Sequence, residues 1–159
     1  IIAASEDTGA FTDYVFGDGM ISEVTSGAIA DGSWGAKPSP SAELQAAWEV
    51  VATAGGVDGK GVYSGESYDA MALIILAAQA AGSTDRAAIQ AEVMNVANAP
   101  GNKCHAGKLG ECLKMISGGL PVDYVGATGV ELDAVGTPNG SYAEQEVIAG
   151  AFTTVTVHN

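Results

Sequence analysis

The stretch from 67 to 85, SYDAMALIILAAQAAGSTD, constrains this chain more than any other. From Ala70 to Ala81 nearly every position is apolar or small, with Gln79 the one interruption. A membrane-spanning helix needs about 20 such residues, and this run falls well short. A helix that is apolar on all sides but too short to span lipid has to be buried within a protein fold. Whatever buries it sits in an acidic chain: 19 Asp and Glu stand against 6 Lys and Arg, for a net charge of -13. That balance argues against nucleic acid and anionic membrane surfaces as partners, since both repel it. No signal peptide is visible at the start, where basic, apolar and small-residue regions would have to follow one another.

Local signals divide the chain into helices and strands. Ser41 is a good helix N-cap, and the spacing predicts a helix over Ala42–Ala54 ending at Gly55-Gly56. On it Leu44, Ala47, Trp48 and Val51 recur at intervals of three and four, which makes Trp48 a core anchor. The apolar run gives a second helix, from about Gly65 to Ala81, stopped by Gly82. Ser83 or Thr84 caps a third, Asp85 to Val96, with Ile89, Val93 and Val96 turned inward. A fourth runs from Lys108 to Ser117 and ends at Gly118-Gly119, while Asn98 to Gly107 reads as irregular.

Strand signals are sparser. Ile1 to Ala4 reads as a short buried strand, followed by a polar loop and a short helix around Phe11 to Phe16. Gly27 to Ala36 reads as extended until Pro38 and Pro40 stop it, because neither donates to a ladder. Val130 to Asp133 reads as a strand before a turn at Gly136 to Gly140. Tyr142 to Ile148 and Phe152 to Val157 read as a hairpin joined at Ala149-Gly150. Strands, then helices, then strands is a poor pattern for a self-contained doubly wound domain, which alternates throughout. The expectation is a piece of something larger.

Several motifs carry a resemblance. Tyr68-Asp69-Ala70, Gly82-Ser83-Thr84-Asp85, the loop Tyr124-Val125-Gly126-Ala127-Thr128-Gly129, Leu132-Asp133 and the closing EQEVIAGAFTTV occur in order. Together they resemble the C-terminal part of periplasmic solute-binding proteins of the leucine/isoleucine/valine type, which serve ABC importers. The resemblance implies an α/β fold, the C-terminal portion of a type I periplasmic-binding-protein fold with two Rossmann-like lobes and hinge crossings. It places residues 1–36 at the end of lobe two and the hinge strand, 37–140 in the helical part of lobe one, and 141–159 back in lobe two. The helix from 66 to 81 would then lie against a lobe-one sheet whose strands are mostly outside this sequence.

The same resemblance implies function and sites. The expected role is a periplasmic receptor that binds a branched-chain or similar small amino acid and delivers it to an inner-membrane permease. An acidic residue at the end of a strand holds the ligand ammonium, and Glu6 and Asp7 both fit that position. In an oxidising compartment Cys104 and Cys112 are expected to form a disulfide, with free buried thiols as the alternative; a zinc site is poorly served by their spacing. His105 reads as a solvent-facing loop residue, and Tyr14, Tyr63 and Trp34 receive no role. No catalytic set, metal site or cofactor motif emerges. Two other functions are kept: a small acid hydrolase pairing Glu6 or Asp7 with Asp13, and a ligand-sensing regulator of the same fold. Uncovered lobe surfaces would also allow copies of the chain to associate.

Overall fold

The computed structural model describes residues 2–21 and 31–158, and of Ile2, Ala3 and Glu6 the backbone alone. Its elements, in order, are α1 (Ile2–Asp7), β1 (Val15–Phe16), a 3-10 turn (Asp18–Met20), β2 (Trp34–Pro38), α2 (Ala42–Ala54), α3 (Ser64–Ala81), α4 (Arg86–Ala97), β3 (Asn102–His105), α5 (Leu109–Ser117), β4 (Val122–Gly126), β5 (Tyr142–Ile148) and β6 (Ala151–His158). They gather into two compact units, Ile1–Ser39 with Ser141–Asn159, and Pro40–Gly140.

The first unit is built on a four-stranded sheet in the order β1-β2-β5-β6. β1 runs parallel to β2, and β2 is antiparallel to β5 with Trp34 opposite Glu146 and Pro38 opposite Tyr142. β5 alternates as a half-buried strand should: Ala143 and Val147 are buried, as is Gln145, while Tyr142 and Ile148 face out. Gln145 satisfies its amide by donating to Thr154 on β6. Phe16, Ile21 and Val147 form the core with Tyr14 and Phe152, and Phe16 meets Phe152 edge to face at 5.2 Å. Only glycine fits at position 35, where a Cβ would lie 2.5 Å from the Phe16 carbonyl oxygen. The β5–β6 hairpin turns through Ala149 and Gly150, both at positive φ, the geometry whose twist matches paired strands.

Two expectations for this unit are corrected. Ile2 to Ala4 is helical, part of α1, because Ala3, Ala4 and Glu6 favour a helix and no strand among the described residues pairs with the segment. The segment Phe11 to Phe16 is not a helix; its end is β1, where Val15 pairs with Trp34. Of the strand expected over Gly27–Ala36, residues 27–30 lie outside the described residues. The described strand begins at Trp34 and reaches Pro38, two residues past the expected end. β1 pairs only as far as Gly35, so Pro38 ends the strand where β1 no longer flanks it.

In the second unit α2 spans the range its cap and periodicity imply, and Ser41 Oγ accepts from the Leu44 N–H. α3 ends in a left-handed Gly82. Asp85, rather than Ser83 or Thr84, caps α4: its carboxylate accepts from the Ala87 and Ala88 N–H groups at 3.0 and 3.1 Å. Ser83 instead accepts from the Asp85 N–H.

β3 and β4 form a two-stranded parallel pair, Asn102 opposite Val122 and Cys104 opposite Tyr124, with α5 as the crossover. Neither strand is expected from the sequence. The strand expected over Val130–Asp133 is only a bridge between Leu132 and Pro138 within a loop. The core holds Ala72, Leu76, Ala77, Val96, Cys104, Cys112, Val122 and Tyr124, with Leu73, Ile89 and Val93 packed against it.

The apolar helix α3 therefore has two fates around its circumference. Its inner side packs on α4, α5 and β4, and Leu76 is fully buried. Its outer stripe stays open, with Met71, Ile74 and Ile75 exposed by 57%, 50% and 37%. Among the described residues no helix is long and apolar enough to cross a membrane.

Candidate functional site

In α/β folds polar groups converge beyond the carboxyl ends of parallel strands. Here that end of β3 and β4 carries the loops 105–108 and 126–129, and the first turns of α3 pack onto them. Asp69 organises the place. It is buried, and its carboxylate accepts four hydrogen bonds: from Tyr124 Oη at 2.7 Å, the Ala127 N–H at 2.8 Å, the Thr128 N–H at 2.9 Å and Thr128 Oγ1 at 2.7 Å. The loop delivers two consecutive N–H groups because Gly126 takes φ +64; a Cβ there would collide with Asp69 Oδ1. Gly65, buried one turn earlier on α3, lets the helix approach Ala127 and Thr128.

Beside this knot Tyr68 turns the other way. Its ring lies 4.9 Å from that of Trp48, and its hydroxyl accepts from the Gly107 N–H at 3.0 Å. Two of the motifs that carried the resemblance, Tyr-Asp-Ala and Tyr-x-Gly-Ala-Thr-Gly, are thus one interlocked structure. Chemically it is a clamp. Four donors engage the Asp69 carboxylate and hold the 126–129 loop against α3.

Burial, then the adjacent Asp69 charge and its hydrogen bond, push the Tyr124 hydroxyl well above the ordinary tyrosine range. The folded chain therefore keeps a proton that the unfolded chain releases near pH 10. The stability this contributes is complete below pH 10 and declines above it, by up to about 1.4 kcal/mol per pH unit. Tyr124→Phe should show a shallower loss of stability between about pH 10 and 11.5 than the parent, measured by urea unfolding at stepped pH. Identical slopes would contradict the assignment.

A second buried carboxylate, Asp123 on β4, pairs with Lys103 on β3 at 2.7 Å. Their bond raises the Lys103 pKa, and the other carboxylate oxygen of Asp123 is buried with no hydrogen-bond partner among the described residues. Cys104 and Cys112 are joined by a disulfide, Cα to Cα 6.0 Å, tying the end of β3 to α5. Both half-cystines are buried. His105 beside them is exposed.

The sequence-derived ligand residues fall elsewhere. Glu6 and Asp7 end α1 in the first unit, on a helix rather than at a strand end, so the geometric reason for singling them out is gone. Asp7 is exposed, and the Glu6 side chain lies outside the described residues. Asp13 is exposed and accepts from the Thr12 hydroxyl at 2.8 Å. Trp34 is half exposed, Tyr14 packs beside Phe16, and Tyr63 sits in a left-handed conformation at the start of α3. Among the described residues no group of three or more His, Cys, Asp or Glu is placed to hold a metal. Reading from sequence missed the role of Asp69. An acidic residue opening a helical run that carries no further charge up to Ala81 was the available signal, since a buried carboxylate requires partners.

The architecture is α/β and matches a portion of a type I periplasmic-binding-protein fold, the fold class expected from the sequence motifs. The chain is similar to the crystal structure of the leucine-binding protein LivK from Thermotoga maritima, with a TM-score of 0.60 and 19% sequence identity. The match covers 99% of this chain and 41% of LivK, so the chain spans well under half of that protein's length. No family model matches the chain, and no curated protein does.

Proposed function

We propose that this chain is part of an extracytoplasmic solute-binding receptor of an ABC importer, one that holds a small amino acid between two lobes and presents it to a membrane permease. The observation that carries the reading is the fold likeness to a leucine-binding protein along 99% of the chain. The division into two compact units, with the chain leaving the first near Ser39 and returning at Ser141, supports a two-lobed arrangement. Residues 1–36 and 141–159 then belong to lobe two and 37–140 to lobe one, in the periplasm. Ligand binding closes the lobes about the hinge, and the closed form is what the permease recognises.

In this reading the open stripe of α3 lies against lobe-one chain beyond these residues. A helix apolar on both sides, and a parallel pair limited to two strands among the described residues, each favour a further layer. With no strand end to place them, Glu6 or Asp7 enters this reading on the motif resemblance alone, as the carboxylate that pairs with the ligand ammonium through a charge-assisted bond. Calorimetric titration of the complete receptor with a panel of amino acids tests the reading. One-to-one binding without turnover is expected, weakened at least tenfold by the double change Glu6→Gln and Asp7→Asn. The isolated 159 residues should bind none of the panel. Product formation, or no binding by the complete receptor, would overturn the reading.

A further inference from the structure

We draw no further inference here: the strongest candidate, the exposed apolar stripe of Met71, Ile74 and Ile75 on the outer side of α3, carries nothing beyond the reading already proposed, because nothing in the structure shows what covers it.

Discussion

Replacing Asp69 by alanine is expected to destabilise the second unit by about 3–5 kcal/mol. The change strands the Tyr124 hydroxyl and the Ala127 and Thr128 N–H groups beside a cavity. Each unsatisfied buried group costs about 1–3 kcal/mol, and neighbouring losses do not add in full. The isosteric amide does little better. Asp69→Asn keeps the volume, but its amide nitrogen would face donors where a carboxylate oxygen now accepts, and the charge that strengthens all four bonds is gone. Urea unfolding followed by far-ultraviolet circular dichroism gives the value. A loss below about 1 kcal/mol for either variant would mean that the 126–129 loop does not depend on this clamp.

Leu76→Ala should cost about 3–4 kcal/mol, while Ile74→Ala, two positions earlier on the same helix, should cost under about 1 kcal/mol. Leu76 is fully buried in the main core, so shortening it loses transfer energy and leaves a void. Ile74 is half exposed, and water can fill what the change removes. The contrast follows from the two sides of α3 and would vanish if the 159 residues buried the helix evenly. Equal costs for the two changes, by the same unfolding assay, would contradict the packing described here.

What was legible in the sequence tracks how local its cause is. α2 announces itself through the Ser41 cap, the three- and four-residue spacing of Leu44, Trp48 and Val51, and the glycines that end it. The β5–β6 hairpin is equally local, two alternating runs about Ala149-Gly150. β3 and β4 pair across α5, so their register depends on residues some twenty positions apart. Neither Asn102-Lys103-Cys104-His105 nor its partner shows the alternation that marks a half-buried strand, and Cys104 alone of the four is buried.

The opposite error occurred at the start of the chain. Two isoleucines followed by small residues resemble a buried strand. Among the described residues no strand pairs with residues 2–7, which close local helical hydrogen bonds instead. Glu6 and Asp7 lost their strand-end placement in the same step.

Asp69 was visible as part of a motif but not as a clamp. Its function depends on Tyr124, Ala127 and Thr128, more than fifty residues away.

The unmatched side of α3 offers the most direct measurement. With Ile74→Cys in place, alkylation by a thiol reagent reads the exposure of that stripe, since Cys104 and Cys112 are bonded and buried. In the isolated 159 residues the new thiol should react at nearly the rate of an exposed cysteine. On the proposed reading, the same thiol in the full-length protein should react at least tenfold more slowly, because further chain would cover it. Equal rates in the two proteins would contradict the proposed placement of α3 beneath a further layer.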